Sequence, residues 1–343
     1  MVRKRLPIAV VAPLLCLLFA PMWPVGAAFG APPTPVPHAG IGIRLLEEPS
    51  ARRVDPRASR YVIDHIRAGG VFDRRFEVRN DSMAAVALSV GVAPATISDG
   101  DFVTAADGAP GRIPDWVTVT PSAVTLVPGK VAVAVMHVRV PADTASGEYY
   151  GLVYAEASSA GQIVVRNRVG IRVYLSVGPG KEPSSDFSID SLQAQRGADG
   201  VPRAVAQVHN TGGRALDMRG SLRLTNGPGG LSGGPFNATL GTTLGVGQTE
   251  PVTVVLGKAI QGGPWHAVID LKSGLLERKA EGDITFPDKA ATESPAVKAK
   301  ALPLYKDKNV VIPVAGVLIG LLVLTLLLLA LREWLRRRKR SQP

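Results

Sequence analysis

Apolar and polar positions alternate with a period of two through most of this chain. Phe76 and Val78 alternate with Arg75, Glu77 and Arg79, and Asn80-Asp81-Ser82 then turns the chain. Val86, Leu88, Val90 and Val92 repeat the pattern, as do Val117 and Val119, and Val131, Val133 and Val135 after the turn Val127-Pro128-Gly129-Lys130. Tyr150, Leu152 and Tyr154 follow a turn at Ser146-Gly147. Val165, Val169, Ile171, Val173 and Leu175 then point one way, while Arg166, Arg168, Arg172 and Tyr174 point the other. A period of two marks half-buried strands. At least seven such runs fall between 41 and 178 without a convincing amphipathic helix, which predicts a two-sheet, Ig-like β-sandwich.

Residues 179–185 read as a linker, because Gly178-Pro179-Gly180-Lys181-Glu182-Pro183 carries no apolar side chain beyond its prolines. A second strand series follows over 186–287: Phe187 to Leu192, Ala204 to His209, Ser221 to Leu224, Thr239 to Leu244, Val252 to Leu256, Trp265 to Leu271 and Asp283 to Phe286. Five glycines and a proline make Thr225 to Gly234 a long loop. The fold class is therefore an all-β ectodomain of two Ig-like sandwiches, hinged near Gly178–Pro183. Residues 288–309, rich in Lys, Ala, Pro and Glu, read as a flexible stalk.

Two stretches break the alternation. Residues 1–28 have the form of a secretory signal: Arg3, Lys4 and Arg5, an apolar run of 13 residues from Ile8 to Ala20, and the small residues Gly26-Ala27-Ala28. A Pro-rich spacer, 29–40, follows. Val310 to Leu331 is 22 uncharged residues, about 33 Å as a helix and long enough to cross a bilayer. Arg332, Arg336, Arg337, Arg338, Lys339 and Arg340 come next, so 332–343 is a basic cytoplasmic tail by the positive-inside rule. The expected topology is a single-pass cell-membrane protein with its ectodomain extracellular and its C-terminus cytoplasmic.

This topology changes the meaning of the charge. The chain carries a formal +11; three positive charges lie in the signal and a net five in the tail, leaving about +3 for the ectodomain. That lacks the basic footprint of a nucleic-acid binder. Cys16, in the signal, is the one cysteine, so the mature ectodomain has neither disulfides nor thiol chemistry. Cysteine avoidance fits a Gram-positive surface, and the Gly-, Ala-, Arg- and Pro-rich vocabulary fits a high-GC, actinobacterial genome.

Candidate chemistry is sparse. His38, His65, His137, His209 and His266 stand singly, and no nucleophile elbow or phosphate loop appears, so no enzyme and no cofactor is expected. Asp99, Asp101 and Asp107 offer oxygen ligands for Ca²⁺, but Asp-Gly is ordinary turn chemistry and no metal site is assigned. Asn80-Asp81-Ser82 and Asn237-Ala238-Thr239 match the glycosylation sequon. Tyr61, Tyr149, Tyr150, Tyr154, Tyr174 and Trp116 suit either a sugar-stacking surface or a packed core, and the core is the expected role.

Several phrases of the first unit fit a known pattern. They are Asp55-Pro56-Arg57 with Tyr61, Val78-Arg79-Asn80-Asp81-Ser82, Trp116-Val117-Thr118-Val119-Thr120-Pro121 and Val124-Thr125-Leu126-Val127-Pro128-Gly129. Val138-Arg139-Val140-Pro141 and Gly147-Glu148-Tyr149-Tyr150-Gly151 complete the set. Residues 41–178 thereby resemble the peptidoglycan-binding domain of the WxL-interacting protein family of Gram-positive cell surfaces. The order of signal, two Ig-like domains, membrane helix and basic tail is similar as well. The resemblance implies attachment to peptidoglycan and docking of a wall-associated protein bearing a WxL module.

The expected function is thus a membrane-anchored surface scaffold binding peptidoglycan or other wall-associated proteins without catalysis. The alternative is an Ig-like assembly chaperone, or an accessory subunit of a membrane complex, acting by strand addition. The candidate binding residues are Arg166, Arg168, Arg172 and Tyr174, which share one face of a strand, because arginine offers a flat, bidentate fork to carboxylates. The topology has a direct check: a tag after Pro343 stays protected from external protease in intact cells, while the ectodomain is shed.

Overall fold

Alternation of this kind leaves each strand one face to bury, and two sheets closing on each other satisfy it. The computed structural model describes residues 40–48, 55–105, 112–158, 166–303 and Thr325. In the first half the elements are β1 (Ile41–Leu45), β2 (Val62–Ile66), β3 (Val71–Asn80), β4 (Val86–Ser98), β5 (Asp101–Thr104), α1 (Arg112–Trp116), β6 (Val117–Thr120), β7 (Ala123–Leu126), β8 (Val131–Arg139), β9 (Gly147–Ser158) and β10 (Arg166–Val177). One sheet has the order β1-β3-β8-β6; the other has β2-β10-β9-β4-β5, with β7 also on β4. Phe76, Val78, Leu88, Met136, Val153 and Leu175 fill the space between them.

The second half begins with β11 (Phe187–Arg196), β12 (Pro202–Asn210), β13 (Leu216–Asp217), β14 (Arg219–Thr225) and β15 (Gly233–Asn237). It continues with β16 (Thr243–Leu244), β17 (Thr249–Val255), β18 (Gly263–Ser273), β19 (Leu276–Phe286), β20 (Thr292–Glu293), β21 (Val297–Lys298) and β22 (Lys300–Leu302). Its sheets have the orders β17-β12-β11-β20 and β15-β14-β18-β19-β22, with β21 on β11 and a separate β13–β16 pair. Leu192, Leu222, Leu224, Trp265, Ile269 and Phe286 lie in its core. Both halves belong to one compact unit that begins at Ala39.

The two sandwiches share a device that the strand pattern did not announce. Asn80 is fully buried at the end of β3; its amide donates to the carbonyls of Ala84 (2.7 Å) and Leu126 (2.8 Å), and its oxygen accepts from the Ser82 backbone. Asn210, at the end of β12, donates to the carbonyls of Arg214 and Leu244 and accepts from Gly212 N–H. Each asparagine thus ties the turn after its strand to a second connection that follows an apolar leucine. Glycosylation of Asn80 is incompatible with that burial.

Several expectations change. Thr292–Leu302, read as part of a flexible stalk, forms β20, β21 and β22 along the second sandwich, with Val297 and Ala299 packed on its core. Alanines and a valine among lysines suffice where an open sheet edge supplies the backbone partners. β15 begins inside the Gly-rich stretch, at Gly233, and a short helix, α1, leads directly into β6. The tip of the supposed calcium loop, Asp99-Gly100, is a tight β4–β5 turn with both residues at positive φ. Asp107 lies outside the described residues, as do the signal, the spacer through 39, and the Val310–Leu331 span with its tail. Among the described residues no helix is long and apolar enough to cross a membrane, and no cluster of His, Cys, Asp and Glu is arranged to hold a metal ion.

The shared device yields a stability prediction. Asn80→Ala and Asn210→Ala each leave buried carbonyls unpaired and should lower unfolding free energy by about 2–4 kcal/mol in chemical denaturation. Asn237→Ala, on an exposed position of β15, should change it by less than about 0.5 kcal/mol.

Candidate functional site: the waist between the sandwiches

The connection between the halves was expected to act as a hinge, yet the halves are locked together. Glu148, at the start of β9, accepts from Arg214 Nε (2.7 Å), Ala215 N–H (2.6 Å) and the Tyr150 hydroxyl (2.8 Å). The Glu148 and Arg214 side chains are only 2% and 3% exposed, and Glu182 of the linker also pairs with Arg214. The β4–β5 hairpin contributes Gly100 O from its turn, which accepts from Thr243 N–H, and Ile97 O from β4, which accepts from Gln248. Between these polar contacts lies a small apolar cluster of Ile63, Ile97, Tyr174 and Ala215, flanked by Tyr61, Phe102 and Tyr150.

Tyr174 is the hub of that cluster. Its ring stands 5.7 Å from Tyr61, 5.4 Å from Phe102 and 6.0 Å from Tyr150. Its hydroxyl donates to Asp217 Oδ1 at 2.8 Å. Arg172 Nη1 approaches the same oxygen at 3.0 Å and Thr243 Oγ1 at 3.2 Å, with its guanidinium over the Phe102 ring at 4.8 Å. Burial and then the Asp217 charge push the Tyr174 phenol well above its usual range; burial and Glu148 do the same to Tyr150.

A cleft of about 170 Å³ opens beside this cluster. Arg57, Arg60, Arg172 and Arg219 line it with Asp217, and Leu240, 79% exposed, forms an apolar lip. Arg57 is held by Asp55, the Ala215 carbonyl and Asp217 Oδ2 at 3.9 Å. Four guanidinium groups against two carboxylates leave the cleft cationic. Asp217 Oδ2 is buried and accepts no hydrogen bond among the described residues.

The four residues singled out from the sequence do share one face of β10, but they do not form one exposed surface. Arg166, 60% exposed, and Arg168 sit at the hairpin end on Glu156, and Arg168 covers the Tyr154 ring at 4.0 Å. Arg172 and Tyr174 are turned into the waist, and Tyr174 is 2% exposed, because the second sandwich covers that end of the strand. Tyr154 has Gly91 beneath it and Arg168 above, and Tyr149 packs on Trp116. These packed rings lack the open faces that sugar stacking needs. Arg57 was quoted only as part of a motif, and Glu148 likewise; Asp217, Arg214 and Arg219 carried no sequence signal, because their role arises from contacts between halves.

β10 has one further property. β9 pairs with it along its whole length, from Arg166 to Val177, whereas β2 covers its other edge only from Val173 to Val177. Among the described residues no strand pairs with that edge from Arg166 to Arg172. The open stretch ends where the arginine cleft begins.

No protein-family model matches this chain, and no curated protein matches it. Solved structures similar to it include the YadV chaperone, at 12% identity over 72% of this chain and 99% of that one, with a TM-score of 0.37. Another is the SafB chaperone of Salmonella enterica in complex with the SafA pilin, at 11% identity over 77% and 96%, also 0.37. The CupB2 chaperone of Pseudomonas aeruginosa is 14% identical over 66% and 99%, with a TM-score of 0.33. Likenesses this distant carry no argument about the present chain.

The buried Tyr174 phenol and the partly buried Tyr150 phenol make the waist sensitive to alkali in a defined direction. A phenol whose folded pKa is raised contributes stability that is present below its unfolded value of about 10 and is lost as pH rises beyond it. The melting temperature should therefore be insensitive to these two groups up to about pH 10 and fall above it. In Tyr174→Phe that alkaline fall should be shallower.

Proposed function

We propose that this protein is a non-catalytic, membrane-anchored binding protein that engages a protein partner by strand addition at the open edge of β10. The observation that carries this reading is the pairing of β10: β9 covers one edge from Arg166 to Val177, whereas among the described residues strand pairing on the other edge is confined to Val173–Val177. An incoming strand gains main-chain hydrogen bonds there, and its alternate side chains meet Val169 and Ile171 at the margin of the core. The arginine cleft at the end of that edge supplies a seat for a carboxylate, through bidentate forks that are already oriented by Asp55 and Asp217. This favours the assembly-chaperone or accessory-subunit form of binding over passive adhesion. The anchor in this reading is the apolar span 310–331.

Peptidoglycan and a WxL-bearing partner remain what the family resemblance implies, and the same arginines offer chemistry for stem-peptide carboxylates. The two readings separate by position. A photo-crosslinker placed at Arg166 should trap a partner protein from the native cell surface, and one at Asp283, on the outer face of the second sandwich, should not. Arg57→Ala with Arg172→Ala should weaken that complex at least tenfold. Trapping at Asp283 alone would sink strand addition. Retention of purified wall, abolished by Ser at Arg166, Arg168 and Arg172 and by salt, would favour the wall reading.

A further inference from the structure

The last three strands decide where the chain leaves the second sandwich. β22 runs antiparallel to β19, with Lys300 opposite Glu281 and Leu302 opposite Lys279. It therefore travels toward the β18–β19 turn at Gly274 and Leu275. That turn belongs to the waist: a Cβ on Gly274 would stand 2.8 Å from an Asp55 carboxylate oxygen, and Gly274 lines the cleft. The opposite end of the sandwich carries the loop through Leu231, because β14 reaches His266 at Thr225 and Gly227 packs on Trp265.

Leu302 lies about four residues short of the turn, roughly 14 Å at strand spacing. Seven residues, 303–309, separate it from the apolar span, and fully extended they reach at most about 25 Å. A 22-residue stalk, as the sequence suggested, would have allowed roughly 75 Å. Exit at the opposite end of β18, an 11-residue strand, would place the waist roughly 37 Å farther from the membrane.

We propose that the fold delivers its anchor at the waist, so that the arginine cleft and the adjoining edge of β10 work within reach of the bilayer and take a partner presented at the membrane surface. This rests on the membrane reading of 310–331 but needs no partner to be tested. β20 and β21 act as the strap, fastening residues 292–298 to β11 before the chain crosses to β19. The Ser294 and Ala299 backbone N–H groups donate to Ala194 and Asp190, so the strap is held at both ends.

The test uses the full mature chain in phospholipid vesicles carrying a headgroup-attached quencher. Cys16 leaves with the signal, so a fluorophore is attached through Leu275→Cys or Leu231→Cys, both exposed positions. The Leu275 label should be quenched severalfold more efficiently than the Leu231 label. Equal quenching, or stronger quenching at Leu231, overturns the waist exit. Failure of the protein to co-sediment with vesicles overturns the anchor itself, and the proposal with it. Inserting twenty Gly and Ser residues after Pro303 should abolish the difference, and a difference that survives the insertion would show that the tether does not set the geometry. Strand addition is read separately, by the Arg166 crosslink.

Discussion

Everything at the waist depends on one buried carboxylate and one buried phenol. Glu148 is surrounded by three donors from two halves of the chain, Arg214, Ala215 and Tyr150, at a site almost without solvent. A charge in such a place is tolerable only when its lone pairs are met, and removing either member of a buried pair typically costs about 3–5 kcal/mol. Tyr174 performs the complementary task, filling the apolar gap with its ring and spending its hydroxyl on Asp217. Together they convert a proline- and glycine-rich connection into a fixed angle.

That fixed angle gives the cleft its chemistry. Arg57 and Arg172 come from the first half and Asp217 and Arg219 from the second, so the cationic seat exists only while the halves stay docked. Asp217 orients two guanidinium groups without neutralising all four. The arrangement suits a planar anion flanked by an apolar group, since Leu240 supplies a lip beside the charge. It suits a neutral sugar less well, because Tyr149, Tyr154 and Tyr174 have their faces covered by Trp116, Arg168 and the waist cluster.

The period-two pattern exposed most of the strands of both sandwiches, because burial on one face writes itself directly into side-chain order. It also placed Arg166, Arg168, Arg172 and Tyr174 correctly on one face of β10. It misjudged their exposure, since the sequence of a strand does not say what covers its outer face. Asn80 read as a turn residue and Asn210 drew no reading, and the burial of both follows from pairing with connections 46 and 34 residues away. Thr292–Leu302 looked unstructured because edge pairing is a main-chain interaction with little demand on side chains. What a chain does within one strand is legible; what two distant segments do to each other is not.

Rigidity at the waist has a consequence for binding that a hinged pair would not share. A partner strand adding to β10 must order its own backbone, at roughly 1–2 kcal/mol per residue, and any ordering of the receptor would be subtracted as well. Here the edge of β10 is held along its full length by β9, and the arginines beside it are already oriented by Asp55, Asp217 and the Ala215 carbonyl. The receptor therefore contributes little ordering cost of its own. The same pre-organisation carries a liability where, among the described residues, no strand covers that edge, since an exposed strand edge invites indiscriminate pairing. Arg166 and Arg168, outward-facing and charged beside Glu156, oppose the approach of a generic apolar edge while leaving an acidic or carboxylate-bearing one favoured.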